Sequence, residues 1–160
     1  MHKVLLTSFA LSAFAFQSSG YADETLKWRH VQHTESLQTQ QIPDVKDHSL
    51  NIYRIPGLAM FSDGSIGTTL VIGTSDLVSG HATVRGYNII KTPDGSELYT
   101  SYVGETNAEG NHVPRKGTFT VIGGTGKFAN AKGDGTWQGD GPLNAPGAIS
   151  YIDSVITLKK

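Results

Sequence analysis

The segment GTFTVIGGTGKFANAKGDGTWQG, residues 117–139, says more about the fold than any other part of this chain. Residues 117–122 alternate in polarity, as the residues of a half-buried strand do. Glycines and a phenylalanine follow, and a second strand-like stretch then carries Trp137. Because glycine adopts positive φ angles without strain, this spacing predicts a tight hairpin in a closely packed sheet. The residues expected to form this hairpin are Gly123, Gly124, Gly126, Phe128 and Gly133.

The rest of the chain predicts further strands and no convincing helix. Three polar stretches are expected to be loops, the first with a short irregular helix as the alternative: residues 34–45, 107–115 and 140–147. Turn signals recur roughly every 8 to 14 residues, as they do in all-β sandwiches and barrels. Since closure removes exposed strand edges, we predict a single small antiparallel eight-stranded β-barrel. Besides the two strands of the hairpin, strands are expected over residues 26–33, 48–54 with an extension over 58–61, 66–74, 79–91, 97–106 and 148–159.

Residues 1–22 are predicted to be a secretory signal peptide, which leaves residues 23–160 as the barrel domain. A short positive start precedes an apolar run over residues 4–16, and small residues lead up to a cleavage site after Ala22. The apolar run is shorter than the roughly 20 residues that span a bilayer. We therefore expect a periplasmic or secreted protein whose mature form has no membrane span.

Composition argues against several classes of function. The chain has 13 Lys and Arg residues against 14 Asp and Glu residues, and no basic cluster, which argues against nucleic-acid binding. It contains no cysteine, so it has neither a thiol nucleophile nor a thiolate metal site.

The sequence also lacks the spacings that metal and hydrolase sites need. Its six histidines are isolated, apart from His30 and His33, which a strand would point to opposite faces. No G-x-S-x-G motif is present, and the residue after the Gly126-Lys127 pair is Phe128 instead of the Ser or Thr of a phosphate-binding loop. We expect no metal, no cofactor and no hydrolase activity.

The stretch VIGGTGKFANAKGDG, residues 121–135, resembles the glycine-turn segment of the allene oxide cyclase/dirigent β-barrel superfamily. Tyr102, Gly104 and Thr106 also resemble a strand of its bacterial members. The resemblance implies an exported eight-stranded barrel with an apolar interior, capable of self-association. It also implies a cavity that binds a hydrophobic or phenoxy-type intermediate and controls its cyclisation or coupling. The cysteine of the plant cyclases has no counterpart here, and no catalytic residue can be carried over. The matching residues are Gly123, Gly124, Thr125, Gly126, Lys127, Phe128, Ala131 and Gly133.

Several side chains are candidates for contact with a ligand. Arg85 and Tyr87 share one face of a predicted strand, and Tyr99 and Glu105 share one face of the next. These four either converge in the lumen or lie on the solvated outer wall, because a register slip of one residue inverts the assignment. Other ligand candidates are Tyr53 and Arg54, whereas Trp28 and Trp137 either stack on a planar ligand or fill the core.

Three functions remain open on the sequence alone. The barrel binds a small hydrophobic or aromatic molecule in its lumen, or it is a cyclase or isomerase that steers a reactive intermediate there. Alternatively, the interior is filled and the loops bind another protein. An interior pocket above about 300 Å³ would favour the first two, and an inward ionisable group with a perturbed pKa would favour the enzyme.

Overall fold

The computed structural model describes residues 23–108, 113–142 and 146–159. The predicted signal peptide lies outside these residues, as do parts of two of the predicted loops. Among the described residues, no helix has the length and apolar character that a bilayer span requires. The strands are β1 (Glu24–His33), β2 (Ser36–Gln41), β3 (His48–Phe61), β4 (Ile66–Val78), β5 (His81–Lys91), β6 (Glu97–Asn107), β7 (Arg115–Gly124), β8 (Lys132–Asp140) and β9 (Ile149–Lys159).

These strands form one antiparallel sheet that closes on itself. Hydrogen bonds join them in the order β1-β9-β8-β7-β6-β5-β4-β3-β2, and β1 also pairs with β3. Strands β1 and β3 to β9 therefore form a closed eight-stranded barrel, and β2 extends it by pairing with β3. This confirms the predicted fold class.

The first half of the chain departs from the prediction at two places. Residues 36–41, expected in a loop, form β2, and β3 runs without a break through Pro56. The side of β3 that faces β1 and β2 changes partner at this proline, because Arg54 pairs with Ser36 and Gly57 pairs with Gln32. Proline lacks an N–H, and it is tolerated here because it lies between the part of β3 that pairs with β2 and the part that pairs with β1, where no hydrogen bond to either strand is required.

The interior is filled largely by aromatic side chains. The rings of Trp28 and Phe119 stack with centroids 6.0 Å apart, and Phe119 lies 6.4 Å from Trp137. Tyr102 meets Trp137 edge to face at 6.0 Å. Both tryptophans are buried in the core cluster, so the core alternative for Trp28 and Trp137 is the one observed.

Pairs of glycines make room for two of these rings. Gly104 lies opposite Gly117, and a Cβ atom added to Gly104 would lie 2.3 Å from Trp137 Cζ2. Gly73 lies opposite Gly86, and a Cβ atom added to Gly73 would lie 2.0 Å from the Tyr102 hydroxyl oxygen. Glycine in the middle of these strands is therefore required by close approach of a side chain.

The segment of residues 117–139 seals one end of the barrel. Strands β7 and β8 are joined by residues 125–131, which include a single 3₁₀ turn at Gly126–Phe128 instead of a tight two-residue turn. Gly126 has a φ of 56°, and the turn places Phe128, 2% exposed, in the core. The Thr125 N–H donates to the Glu97 carbonyl at 2.7 Å, which holds residues 125–131 against the turn between β5 and β6.

Candidate functional site

The opposite end of the barrel, which we call the mouth, is bordered by four chain connections, namely those from β1 to β2, β4 to β5, β6 to β7 and β8 to β9. The N–H of Thr34 donates to the carbonyl of Ala148 at 3.0 Å, which joins the β1–β2 junction to the β8–β9 loop. The N–H of Val113 donates to the carbonyl of Gly141 at 3.0 Å, which joins the same loop to the β6–β7 loop. Hydrogen bonds of the backbone therefore hold the rim together.

A small cavity lies inside the mouth. Its volume is about 60 Å³, well below the roughly 300 Å³ at which ligand pockets begin. The aromatic core occupies the rest of the lumen, so a guest the size of an aromatic molecule does not fit wholly between the side chains as they stand. Polar groups are contributed to the cavity lining by His30, Gln32, Tyr53, Asn88, Thr106 and Arg115, together with the Tyr102 hydroxyl.

His30 is held in one neutral form. Its side chain is 1% exposed, and its Nε2 accepts a hydrogen bond from Trp28 Nε1 at 2.5 Å. Burial lowers the pKa of His30 to about 3, because the charged imidazolium would lose its hydration. With Nε2 accepting, the ring proton resides on Nδ1, which has no hydrogen-bond partner in the described part of the chain. His30, which lines the cavity, therefore carries an unpaired donor.

Two amides add further groups that have no partner among the described residues. Thr69 Oγ1 donates to Asn88 Oδ1 at 2.7 Å, which leaves the Asn88 Nδ2 group without an acceptor. Gln32 Nε2 donates to Ser150 Oγ at 3.3 Å, which leaves Gln32 Oε1 without a donor. Each such buried group costs about 1–3 kcal/mol, so a bound polar group that pairs with it is favoured.

A pair of tyrosines and an arginine complete the mouth. The hydroxyl groups of Tyr53 and Tyr102 lie 2.8 Å apart, and burial raises the pKa of both phenols. Arg115 Nε donates to the Val113 carbonyl at 3.2 Å and Nη2 donates to the Pro142 carbonyl at 2.9 Å. Arg115 thus ties the two loops together at the cavity opening.

Four of the predicted ligand residues lie on the outer wall and not in the lumen. In β5 the even-numbered residues, such as Val84 and Asn88, are buried, so Arg85 and Tyr87 face outward and Tyr87 is 60% exposed. The sequence left this alternative open, and convergence of the four in the lumen was wrong. Tyr99 donates to Glu97 at 2.7 Å, and Glu105 forms an ion pair with Lys116 at 3.2 Å.

Tyr53 and Arg54, the other predicted ligand residues, are adjacent in β3 and so point to opposite sides of the wall. Tyr53 lines the cavity. Arg54 forms an exposed ion pair with Glu35 at 2.5 Å. Of the six residues predicted to contact a ligand, Tyr53 is therefore the one that the structure places in the mouth.

Comparison with known proteins supports the assignment of the fold. No family model matches the chain, and no curated protein matches it. Its structure is similar to that of the pterocarpan synthase dirigent protein GePTS1, with a TM-score of 0.53 and 16% sequence identity over 97% of this chain and 98% of that chain. The chain has a dirigent-like barrel fold. Identity this low shows the fold alone, and the fold is the one that the resemblance of residues 121–135 implied.

The dirigent-like barrel also has a groove on its outer wall, with a volume of about 1240 Å³. Arg85 and Glu105 lie in it beside four apolar side chains that are 37 to 58% exposed. Those four are Leu50, Ile52, Val103 and Val155. The groove is open to solvent, and Val84 and Trp137 belong both to its lining and to that of the mouth cavity.

Most residues of the mouth cannot be recognised as ligand contacts from the sequence. The sequence did not single out four of them as ligand contacts, namely His30, Gln32, Asn88 and Arg115. Each lies on a strand face that also carries apolar or aromatic residues. Asn88 lies on the same face as Val84, a pattern that marks a buried polar group once the inward face is known. Among the described residues, no group of three or more histidines and carboxylates has a geometry that could hold a metal ion.

Proposed function

We propose that this dirigent-like barrel binds a small aromatic or hydrophobic molecule at its mouth, with a polar end of the molecule in the cavity. One observation carries the proposal: three residues that line the cavity, His30, Gln32 and Asn88, each carry a buried polar atom with no partner in the residues that the structure describes. The fold is shared with a dirigent protein named as a pterocarpan synthase, which makes aromatic molecules the first class to test.

The cavity size decides how such a molecule would lie. A volume of about 60 Å³ accepts a few atoms of a polar end, while a ring would rest in the mouth against Tyr102 and Ile152. Burying about 200 Å² of apolar ligand surface contributes roughly 5 kcal/mol before the costs of association. Even without those costs this corresponds to a dissociation constant of about 0.2 mM, so hydrogen bonds to the polar end would have to supply any tighter binding.

The mouth is better suited to orienting a molecule than to moving its protons. Efficient general acid–base catalysis needs a pKa near the working pH. The pKa of His30 is lowered to about 3, and burial raises the pKa values of Tyr53 and Tyr102, so all three side chains stay neutral at neutral pH. The cyclase or isomerase alternative would therefore operate here by holding a reactive intermediate in one geometry.

A blocking substitution tests the proposal. Thr106 lines the cavity opening, whereas Thr118 lies on the outer wall, so Thr106→Phe and Thr118→Phe add the same ring at two places. Titration with benzyl alcohol and p-cresol, followed in amide chemical-shift spectra, is expected to perturb residues around the mouth in the wild type and in Thr118→Phe. Thr106→Phe is expected to weaken these changes at least tenfold. Shifts confined to the outer wall, or the absence of shifts, would rule out binding at the mouth.

The outer groove favours a second candidate, contact with another copy of the chain. Its exposed apolar side chains alternate with charges of both signs, including Arg85, Lys116 and Asp76, as a self-complementary surface requires. Light scattering on the purified protein measures its mass directly. If the groove joins copies, Val103→Lys dissociates them, and Ile66→Lys, an exposed apolar residue outside the groove, does not.

Export remains a proposal that concerns residues outside the described part of the chain. We propose that a signal peptidase removes residues 1–22 and that the barrel acts in the periplasm or outside the cell. The intact mass of the protein recovered from periplasmic and culture fractions tests both points. A mature chain that begins at Asp23 is expected, and a protein that retains Met1 would refute cleavage.

A further inference from the structure

The cavity of the mouth has a defined hydrogen-bonding inventory. His30 Nδ1 and Asn88 Nδ2 are donors, and Gln32 Oε1 is an acceptor. All three residues line the same cavity of about 60 Å³, and none of the three atoms has a partner among the described groups. The group that satisfies this set offers lone pairs to two donors and one hydrogen to one acceptor.

The donors are fixed by their own partners. The Trp28 indole N–H occupies His30 Nε2, so the ring must carry its proton on Nδ1. The Thr69 hydroxyl donates to Asn88 Oδ1, and this orientation of the amide leaves its NH₂ group as the unpaired donor. Two donors on residues that line the cavity are therefore without an acceptor among the described groups.

The charges around the cavity limit which groups of a ligand can bind there. His30 is neutral, so Arg115 is the cation among the described residues that line the cavity. Arg115, at the opening, donates to the carbonyls of Val113 and Pro142 and lies in the field of Asp140. An ionised carboxylate has no hydrogen to donate, so it would leave Gln32 Oε1 without a partner even where Arg115 offers a counter-charge.

We propose that the molecule bound at the mouth presents an aliphatic hydroxyl group to His30, Asn88 and Gln32. An alcohol oxygen accepts from two donors and its hydrogen is donated to a third group, which matches the three atoms one to one. A carbonyl oxygen accepts from both donors but leaves Gln32 Oε1 without a hydrogen. A phenol oxygen is a weaker acceptor, because one of its lone pairs is delocalised into the ring. This inference rests on binding at the mouth and names the chemical class of the ligand.

Four probes of nearly equal size test the inference. Benzyl alcohol carries the aliphatic hydroxyl, p-cresol is its phenolic isomer, benzaldehyde keeps an acceptor without a donor, and ethylbenzene replaces the hydroxyl with a methyl group. Dissociation constants come from chemical-shift titration of the full mature chain. Benzyl alcohol is expected to bind about tenfold more tightly than benzaldehyde or p-cresol, which is the effect of one additional hydrogen bond.

Substitutions and a direct spectroscopic measurement complete the test. Gln32→Met removes the acceptor and is expected to bring the ratio between benzyl alcohol and benzaldehyde to about one. Ser150→Ala removes the partner of Gln32 Nε2 but keeps Oε1, and should preserve the ratio. In the wild type, which avoids any effect of substitution on folding, benzyl alcohol should move the imidazole ¹⁵N resonance of His30 Nδ1.

The outcomes separate the inference from the proposed function. Equal affinity for the four probes at the mouth would overturn the hydroxyl assignment and leave binding intact. Tighter binding of benzaldehyde than of benzyl alcohol would overturn it in favour of a carbonyl. If none of the probes shifts a resonance near the mouth, both the assignment and the proposed function fail.

Discussion

The two ends of this barrel are built from the same strands but are closed by different interactions. At the sealed end, Phe128 from the 3₁₀ turn packs into a core that includes Ile90, Leu98 and Leu158. At the mouth, backbone hydrogen bonds and Arg115 join the loops above a polar cavity. Apolar packing fills space completely and has no direction, whereas hydrogen bonds fix geometry and leave room between the groups they join.

This difference separates stability from binding. The side chains that close the sealed end are apolar, and Ile90 and Leu98 are fully buried. At the mouth, three polar atoms lack a described partner, and each would stabilise the barrel further if it were replaced by a well-packed apolar group. Proteins accept such losses mainly at functional sites. The hydroxyls of Thr100 and Ser154, which do not line the cavity, also lack a described partner, so it is the grouping of three such residues around one cavity that supports binding at the mouth.

We expect the greatest loss of stability from a substitution at the sealed end. Phe128→Ala removes the ring that fills this end and leaves a cavity, which should lower the free energy of unfolding by about 3–5 kcal/mol. Urea denaturation followed by tryptophan fluorescence measures this loss. Lys127→Ala is the neighbouring control, because its ammonium group lies 5.2 Å from the Phe128 ring and is half exposed, so that substitution should cost under about 1 kcal/mol. Equal losses for both variants would show that Phe128 is not the main support of this end.

The Tyr102 hydroxyl at the mouth packs closely against Gly73. A Cβ atom at residue 73 would lie 2.0 Å from the Tyr102 hydroxyl oxygen, so Gly73→Ala should displace that group and cost about 1–3 kcal/mol. Tyr102→Phe removes the oxygen and should recover part of the loss in the double variant. Recovery will be incomplete, because the same Cβ atom would lie 2.7 Å from the Arg85 carbonyl. Additive losses in a double-mutant cycle would contradict the steric explanation.

The sealed end could be predicted from sequence, and the mouth could not. The glycines of residues 117–139 and Phe128 lie close together in the chain, and local spacing is sufficient to predict a connection between two strands. The closed all-β architecture followed from turn spacing and alternation, since both are local properties of the chain.

The mouth depends on distant residues and on which side of each strand faces inward. His30 and Asn88 come from β1 and β5, and their neighbours across the cavity are set by barrel closure. Alternation shows that Arg85 and Asn88 lie on opposite faces, but the choice of inward face depends on tertiary packing. Length and charge of a side chain favoured Arg85 as a ligand contact, although those properties are equally typical of the solvated wall that it occupies.

Acid should destabilise the folded barrel through His30, which lines the mouth. His30 is neutral when folded, with a pKa of about 3, and returns to about 6.5 when unfolded. Between these values the unfolded chain binds more protons, so stability should fall as pH falls. The loss between about pH 7.5 and about pH 5 should be about 2 kcal/mol.

A variant isolates this contribution from that of the carboxylates. His30→Gln keeps an oxygen that can accept from the Trp28 indole N–H and does not titrate. The pH dependence of its unfolding free energy should therefore be flatter by that same amount over this interval. Parallel curves for wild type and variant would mean that His30 is protonated in the folded barrel, which would remove the fixed donor at the cavity.

The smallest effect concerns a second histidine, at the start of β3, and should have the opposite sign. His48 Nδ1 lies 2.6 Å from Asp44 Oδ1 and its Nε2 lies 2.9 Å from Asp76 Oδ1. Hydrogen bonding to Asp44, aided by Asp76, raises the pKa of His48, so its contribution to stability is complete below about pH 6.5 and is lost as pH rises through the raised value. His48→Gln should therefore destabilise the protein more at about pH 5.5 than at about pH 8.5, by an amount that added salt reduces because both carboxylates are exposed. Urea denaturation at these two pH values measures the difference. A destabilisation independent of pH would show that the imidazole is held as a neutral hydrogen-bonding group, as His30 is in the core.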